Sequence, residues 1–232
     1  MTFIVAEIGV NWDGDFDLVK KMMLNAKQAD CNAVKFQSFN EDTVKDHPQK
    51  ERLLKSSITE DNIHEIDRIA NTVDVEWFST PMYPDAVDFL DSFVKRFKLR
   101  FHDGVSLLEN KTTKLFEKII STKKEVIVSS QTSPLNSKFY ENEQIKWLYV
   151  VPKYPCKIED IDFTRIKEFN GYSNHCPHIL VPLAATILGA NIIEVHITSD
   201  KSGDFVDNPV SFDFNELKNL VGLIRQAEKL SV

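Results

Sequence analysis

Eight short apolar runs, most of them rich in β-branched or aromatic residues, recur along the chain with helical patterns between them. They are Phe3-Ile4-Val5-Ala6, Ala33-Val34-Lys35-Phe36, Val75-Glu76-Trp77-Phe78, Phe97-Lys98-Leu99, Glu125-Val126-Ile127-Val128, Ile145-Lys146-Trp147-Leu148-Tyr149-Val150, a short one near Gly171-Tyr172, and Asn191-Ile192-Ile193-Glu194-Val195. Runs this short and this apolar suit strands covered on both faces. Leu18, Val19, Met22, Met23 and Ala26 repeat at helical spacing after Asp15 or Asp17, either of which can cap the helix. Thr59-Glu60-Asp61-Asn62 opens a second amphipathic stretch with Ile63, Ile66 and Ile69 on one face. Residues 85–90, 107–120, 158–169, 179–188 and 214–230 continue the helical series, and 179–188 reads as a buried crossover helix. Residues 131–142 are polar and carry no periodicity. Alternation of this kind dictates a parallel sheet, and eight repeats favour closure into a single α/β TIM (β/α)8 barrel over residues 1–232.

Length agrees, because 232 residues fit one such barrel of roughly 200–250 residues without remainder. The net charge of −7 argues against a nucleic-acid surface, so any phosphate must be met by a local cluster of lysines. Cys31, Cys156 and Cys176 are widely spaced with no CxxC, which suits a reducing compartment and small core residues. No run approaches the ~20 apolar residues of a membrane span. The chain enters a strand almost at once, without the charged and apolar regions of a signal peptide, so a cytoplasmic location and no membrane partner are expected.

In a parallel barrel the active site lies where the strands end. Those positions hold Glu7, Lys35 and Gln37, then Thr80, Lys98 and Asp103, Ser129, Tyr154, Ser173 and His175, and finally His196. Lys35, Lys98, Thr80, Ser129 and Ser173 have the donors for a phosphate or carboxylate. Glu7, His175, His196 and Asp207 have the atoms to hold a cation and a hydroxylated substrate. His175 and His196 close two successive parallel strands, which puts both imidazoles at one rim. His47, His64 and His178 lack such context and read as surface or structural.

At these residues the chain resembles the sialic acid synthase family, which condenses phosphoenolpyruvate with an N-acylated amino sugar. The resemblance runs in order through Ala6-Glu7-Ile8-Gly9-Val10-Asn11 with Gly14, Ala33-Val34-Lys35-Phe36-Gln37, Phe78-Ser79-Thr80-Pro81, Lys98 and Tyr154-Pro155. It continues in Gly171-Tyr172-Ser173-Asn174-His175, Leu188-Gly189-Ala190 and Ile193-Glu194-Val195-His196-Ile197-Thr198. The resemblance implies that His175 and His196 ligate a divalent ion such as Mn2+, with Mg2+ or Co2+ as alternatives, polarising the sugar aldehyde. It implies that Lys35, Thr80, Lys98, Ser129 and Ser173 hold phosphoenolpyruvate, that Glu7, Gln37, Asp103, Tyr154 and Asp207 surround the sugar, and that Glu7 handles a proton near its carbonyl. Lys35, Lys98, Glu7, His175 and His196 are thus the expected catalytic set.

Departures from the family pattern are concentrated at the site. Trp12 follows Asn11 where the family has a histidine, and Arg100-Phe101-His102 replaces a small Gly-Ser-Gly stretch after the fourth strand. Ser130-Gln131-Thr132 stands at a small-residue turn, and Tyr149-Val150-Val151-Pro152 stands where the family has His-Cys-x-Asn. The C-terminal antifreeze-like domain is not expected in this chain, so a homodimer or a separate lid polypeptide are the partners to consider beside the two substrates. Two rivals to condensation remain open: a barrel that binds a sugar or phosphate without turnover, and an aldolase using a Lys98 Schiff base.

Overall fold

A computed structural model describes residues 1–230. Its strands are β1 (Phe3–Gly9), β2 (Ala33–Ser38), β3 (Glu76–Pro81), β4 (Arg96–Leu99), β5 (Glu125–Ser130), β6 (Ile145–Val150), β7 (Gly171–Asn174) and β8 (Ile192–His196). All pair in parallel with their neighbours in sequence, and β1 also pairs with β8, so the sheet closes into a barrel. The helices are α1 (Phe16–Gln28), α2 (Glu41–Val44), α3 (Lys50–Lys55), α4 (Ile63–Val73), α5 (Ala86–Asp91), α6 (Phe101–Leu108), α7 (Lys114–Ser121), α8 (Leu180–Ile187) and α9 (Phe214–Ala227). The chain folds as the TIM barrel that its alternation dictates. None of the described helices is long and apolar enough to cross a membrane.

The local causes are visible at the helix ends. Asp15 caps α1 by accepting from the amides of Asp17 and Leu18, and Asp213 with Glu216 forms a reciprocal capping box on α9. Helix α1 turns Val19, Met22, Met23 and Ala26 onto the barrel, and α4 turns Ile63, Ile66, Ile69, Ala70 and Val73 the same way. These side chains and the outward faces of the strands make one continuous apolar layer. At the N-terminal mouth Arg96 sits between Glu76 and Glu125 with its guanidinium 4.4 Å above the Phe3 ring. That plug leaves the opposite end as the open one.

Several expected helices come out differently. Residues 107–120 are two helices, α6 and α7, because Asn110 takes a positive φ of 63° that an α-helix cannot continue through. Residues 158–169 hold only two 3₁₀ turns, Ile158–Asp160 and Ile166–Glu168. There the side chains of Asp160 and Asp162 capture the amides of Lys157 and Thr164, which competes with helical pairing. Helix α8 is a crossover helix, but it is not buried all round, with Leu180 52% and Ile187 49% exposed. The short helices α2 and α3, unforeseen in the sequence, lie over the rim between β2 and α4. Residues 131–142 are irregular, apart from short turns.

Two glycines set the spacing near the site. A Cβ on Gly171 would lie 2.0 Å from the Ile192 carbonyl oxygen, so β7 and β8 approach this closely only because position 171 has no side chain. A Cβ on Gly104 would lie 2.8 Å from the Ser129 carbonyl oxygen, so α6 can sit directly on the end of β5. Gly171→Ala is therefore expected to cost about 1–3 kcal/mol or more in urea denaturation. Gly222→Ala, in the middle of α9 with nothing within 4 Å of the new methyl, is expected to stabilise by about 0.5–1 kcal/mol.

Candidate active site

The C-terminal ends of the strands surround a cavity of about 470 Å³, a size that suits small ligands. Every strand contributes through the alternation of its side chains, since residues two apart share a face. Thus Lys35 and Gln37, Ser173 and His175, and Glu194 and His196 all line it.

The floor is a buried charge network. The Lys98 ammonium lies 2.7 Å from Glu194 Oε1, which also accepts from Ser173 Oγ at 2.8 Å. Lys35 lies 2.9 Å from Glu7 Oε1 and 3.8 Å from Glu194 Oε2, and donates to Thr80 Oγ1 at 3.1 Å. Gln37 Nε2 donates to Glu7 Oε1 at 2.9 Å. Burial would raise the Glu194 carboxyl, but the two lysines outweigh it and hold the carboxylate well below its ordinary range. Burial drives the Glu7 carboxyl upward, against the pull of Lys35 and His196. For Lys35 burial is the largest influence and lowers it, yet Glu194 and Glu7 together overcome it and raise the ammonium. Lys98, also desolvated and with Lys35 as a repelling neighbour, is lowered despite Glu194. Three buried carboxylate and hydroxyl oxygens at the site, Glu7 Oε2, Glu194 Oε2 and Ser129 Oγ, have no hydrogen-bond partner among the described residues. Buried polar atoms of this kind are costly unless a ligand or water meets them.

The two histidines stand at one rim, their ring centroids 5.6 Å apart. His175 Nδ1 is 3.0 Å from the Val151 carbonyl, which can only accept, so the proton is on Nδ1 and Nε2 keeps its lone pair. Burial, reinforced by His196, pushes the His175 imidazole down to about 4, which keeps it neutral. His196 Nδ1 is 3.3 Å from Asp207 Oδ2, which likewise leaves its Nε2 free. Burial is the largest influence on Asp207 and raises it, but the hydrogen bonds from His196 and Tyr154, with the pull of the two imidazoles, together outweigh it and lower the carboxyl. Asn11 fixes Asp207 by accepting from its amide at 2.9 Å. Tyr154 stacks edge-on against both imidazoles, and burial of its hydroxyl together with Asp207 pushes the phenol well above its ordinary range.

Neutral imidazoles with Nδ1 anchored are the form in which histidine binds a divalent ion. No group of three or more His, Cys, Asp or Glu residues arranged for a metal occurs among the described residues. Two imidazole nitrogens are a donor type that divalent ions take, and a cation held by them would draw its remaining ligands from water or substrate oxygen.

The structure brings together eleven of the twelve expected site residues: Glu7, Lys35, Gln37, Thr80, Lys98, Ser129, Tyr154, Ser173, His175, His196 and Asp207 all line the cavity. Asp103 does not; it turns to Arg100, accepting from its Nε at 2.7 Å. His47, read from sequence as surface or structural, stands at the mouth. Glu194 and Asn11 were missed as functional residues. The signal for Glu194 was its place two residues before His196 on one strand, which forces both onto the inner face. Arg100, Phe101 and His102 also line the cavity, carried there by the start of α6. An apolar wall from Val10, Phe39, Val44, Leu53, Met82 and Val206 completes it beneath α2 and α3.

A sequence model of the NeuB family matches residues 22–231. The chain belongs to the NeuB family. It is 34% identical over 247 aligned residues to an uncharacterized protein of Methanocaldococcus jannaschii, covering 99% of this chain and 72% of that one. It is 34% identical over 259 aligned residues to the N,N'-diacetyllegionaminic acid synthase of Legionella pneumophila, covering 97% of this chain and 72% of the relative. Among solved structures, the N-acetylneuraminic acid (sialic acid) synthetase of Leptospira borgpetersenii in complex with citrate superposes with a TM-score of 0.84 at 26% identity. That match covers 98% of this chain and 84% of the other. This NeuB barrel thus has sugar-acid synthases among its relatives.

Glu194 is shared by two ammonium groups, so removing it leaves Lys35 and Lys98 facing each other in a buried space. Glu194→Gln is expected to lower stability by about 3–5 kcal/mol in urea denaturation. The double variant Lys98→Met/Glu194→Gln is expected to cost less than the sum of the two single changes, because the pair is removed together.

Proposed function

We propose that this protein condenses phosphoenolpyruvate with an N-acylated amino sugar, such as N-acetylmannosamine or a related sugar, to give a nonulosonic acid and phosphate. The observation that carries this reading is a single cavity with lysines and serine hydroxyls on its floor and two metal-ready imidazoles at its rim. A three-carbon anion and a polyhydroxy carbonyl compound are the pair of substrates this division suits. The named relatives support a sugar-acid product.

Lys35, Lys98, Thr80, Ser129 and Ser173 would hold the carboxylate and phosphate of the donor, the ammonium groups offsetting its charge. Glu7, Gln37, Tyr154 and Asp207 would surround the sugar. His175 and His196 would hold a divalent cation, Mn2+ with Mg2+ or Co2+ as alternatives, whose chemistry when bound is Lewis-acid polarisation of the sugar carbonyl. The enol carbon of the donor bonds to the aldehyde carbon, and the aldehyde oxygen takes up a proton. Water adds to the cationic carbon left behind, and the bond to phosphate breaks. Glu7, buried and raised in pKa, has one unpartnered oxygen with which to pass a proton near the carbonyl. The lysines stabilise the charge that collects on departing phosphate.

Phe101 and Pro152 line the same cavity without any polar group, which favours a second reading: a barrel that binds such ligands without turnover. Phosphate release from phosphoenolpyruvate separates the two, measured with Mn2+ across a panel of N-acylated amino sugars. Condensation gives release that depends on the sugar, stops with chelator, and falls 10²-fold or more in Lys98→Ala. A binding protein gives no release with any sugar.

A further inference from the structure

The floor of the cavity is short of free positive charge. Lys98 already has Glu194 at 2.7 Å and Lys35 already has Glu7 at 2.9 Å, so each buried ammonium has a carboxylate of its own. A phosphate monoester brings about −1.5 to −2 further charge. Among the described residues lining the cavity, the one permanently charged cation with no carboxylate on the cavity side is Arg100. Its partner Asp103 stands outside the lining and takes only Nε, at 2.7 Å, which leaves both Nη groups available.

The backbone reinforces the point. Arg100 is the N-cap of α6 and supplies no side-chain cap, while its carbonyl receives the amides of Asp103 and Gly104. The amides of Phe101 and His102, ahead of them, fall in the first turn, where an α-helix offers no acceptor, and both residues line the cavity. Ser129, which also lines the cavity and is 3% exposed, has an Oγ without a partner among the described residues. Gly104 lets α6 rest on the Ser129 carbonyl, so this helix and the end of β5 are adjacent. A guanidinium fork, the first amides of α6 and an unmet buried hydroxyl belong to residues that line one cavity, and all of them are donors suited to a tetrahedral oxyanion.

We propose that Arg100, held by Asp103, is a substrate-binding residue that clamps the phosphate of the donor at the start of α6, with Asp103 as its positioning residue. This rests on the donor assigned above and adds to it the residue that balances the donor's charge.

Calorimetric binding of phosphoenolpyruvate, inorganic phosphate and pyruvate to the full chain, with Mn2+ present, tests it. Arg100→Ala is expected to weaken phosphoenolpyruvate and inorganic phosphate by roughly tenfold or more, and to leave pyruvate, which has no phosphate, unchanged. Arg100→Lys is expected to recover only part, since an ammonium offers no fork. Asp103→Asn is expected to weaken the same two ligands by less. Equal binding of phosphate-bearing ligands by Arg100→Ala and the native chain would overturn the clamp, as would equal loss of pyruvate. Arg100-dependent binding of inorganic phosphate without any binding of phosphoenolpyruvate would retain the clamp and sink the proposed donor. No binding of either by the native chain would overturn the clamp itself.

Discussion

A carboxylate held between two ammonium groups in the middle of the barrel is the contact on which the rest of the site depends. Glu194 meets Lys98 and Ser173 with one oxygen and faces Lys35 with the other. Four strands, β2, β4, β7 and β8, are tied together by it at the floor of the cavity. Isolated in an apolar core, any one of these charges would be expelled or neutralised. Together each has an opposite charge beside it, and two oxygens of the network remain unmet among the described residues. The barrel thus tolerates a polar centre only as a unit.

The histidine rim follows a different principle. Each imidazole is held from behind by its Nδ1, one by a backbone carbonyl and one by Asp207, which Asn11 in turn fixes. Orientation and tautomer are therefore settled by the fold. The two imidazoles are held in place before the cavity fills, which reduces the ordering cost of binding.

Much of this could be read from the chain. The alternation of Phe3-Ile4-Val5-Ala6 and its seven counterparts with amphipathic stretches dictated the barrel, and the barrel rule then pointed to the strand ends. Lys35, Lys98, His175 and His196 stand out because charged or imidazole groups in apolar strands are conspicuous. Glu194 was hidden by its type, since a lone glutamate in an apolar run reads as an edge or surface group until the parity of β8 is taken into account. Asn11 acts through Asp207, nearly two hundred residues away, and no local pattern announces such a contact. Asp103 differs in the opposite way: the family resemblance suggested the sugar, but at the start of α6 it pairs with Arg100, outside the cavity lining. Residues 158–169 looked helical by apolar spacing alone, which is blind to the aspartates that capture backbone amides there.

The parity of the strands also bears on how such a chain can change over time. Glu194 and His196 face inward while Ile193 and Val195 are buried on the opposite face of the same strand. One residue gained or lost before Glu194 within β8 would turn this arrangement inside out, presenting branched hydrocarbon to the substrates and a carboxylate to the helix layer. The rim loops carry no such periodicity and can lengthen or shorten freely. Descent with altered specificity is thus channelled into the loops, and the interior of β8 is left to change by substitution alone.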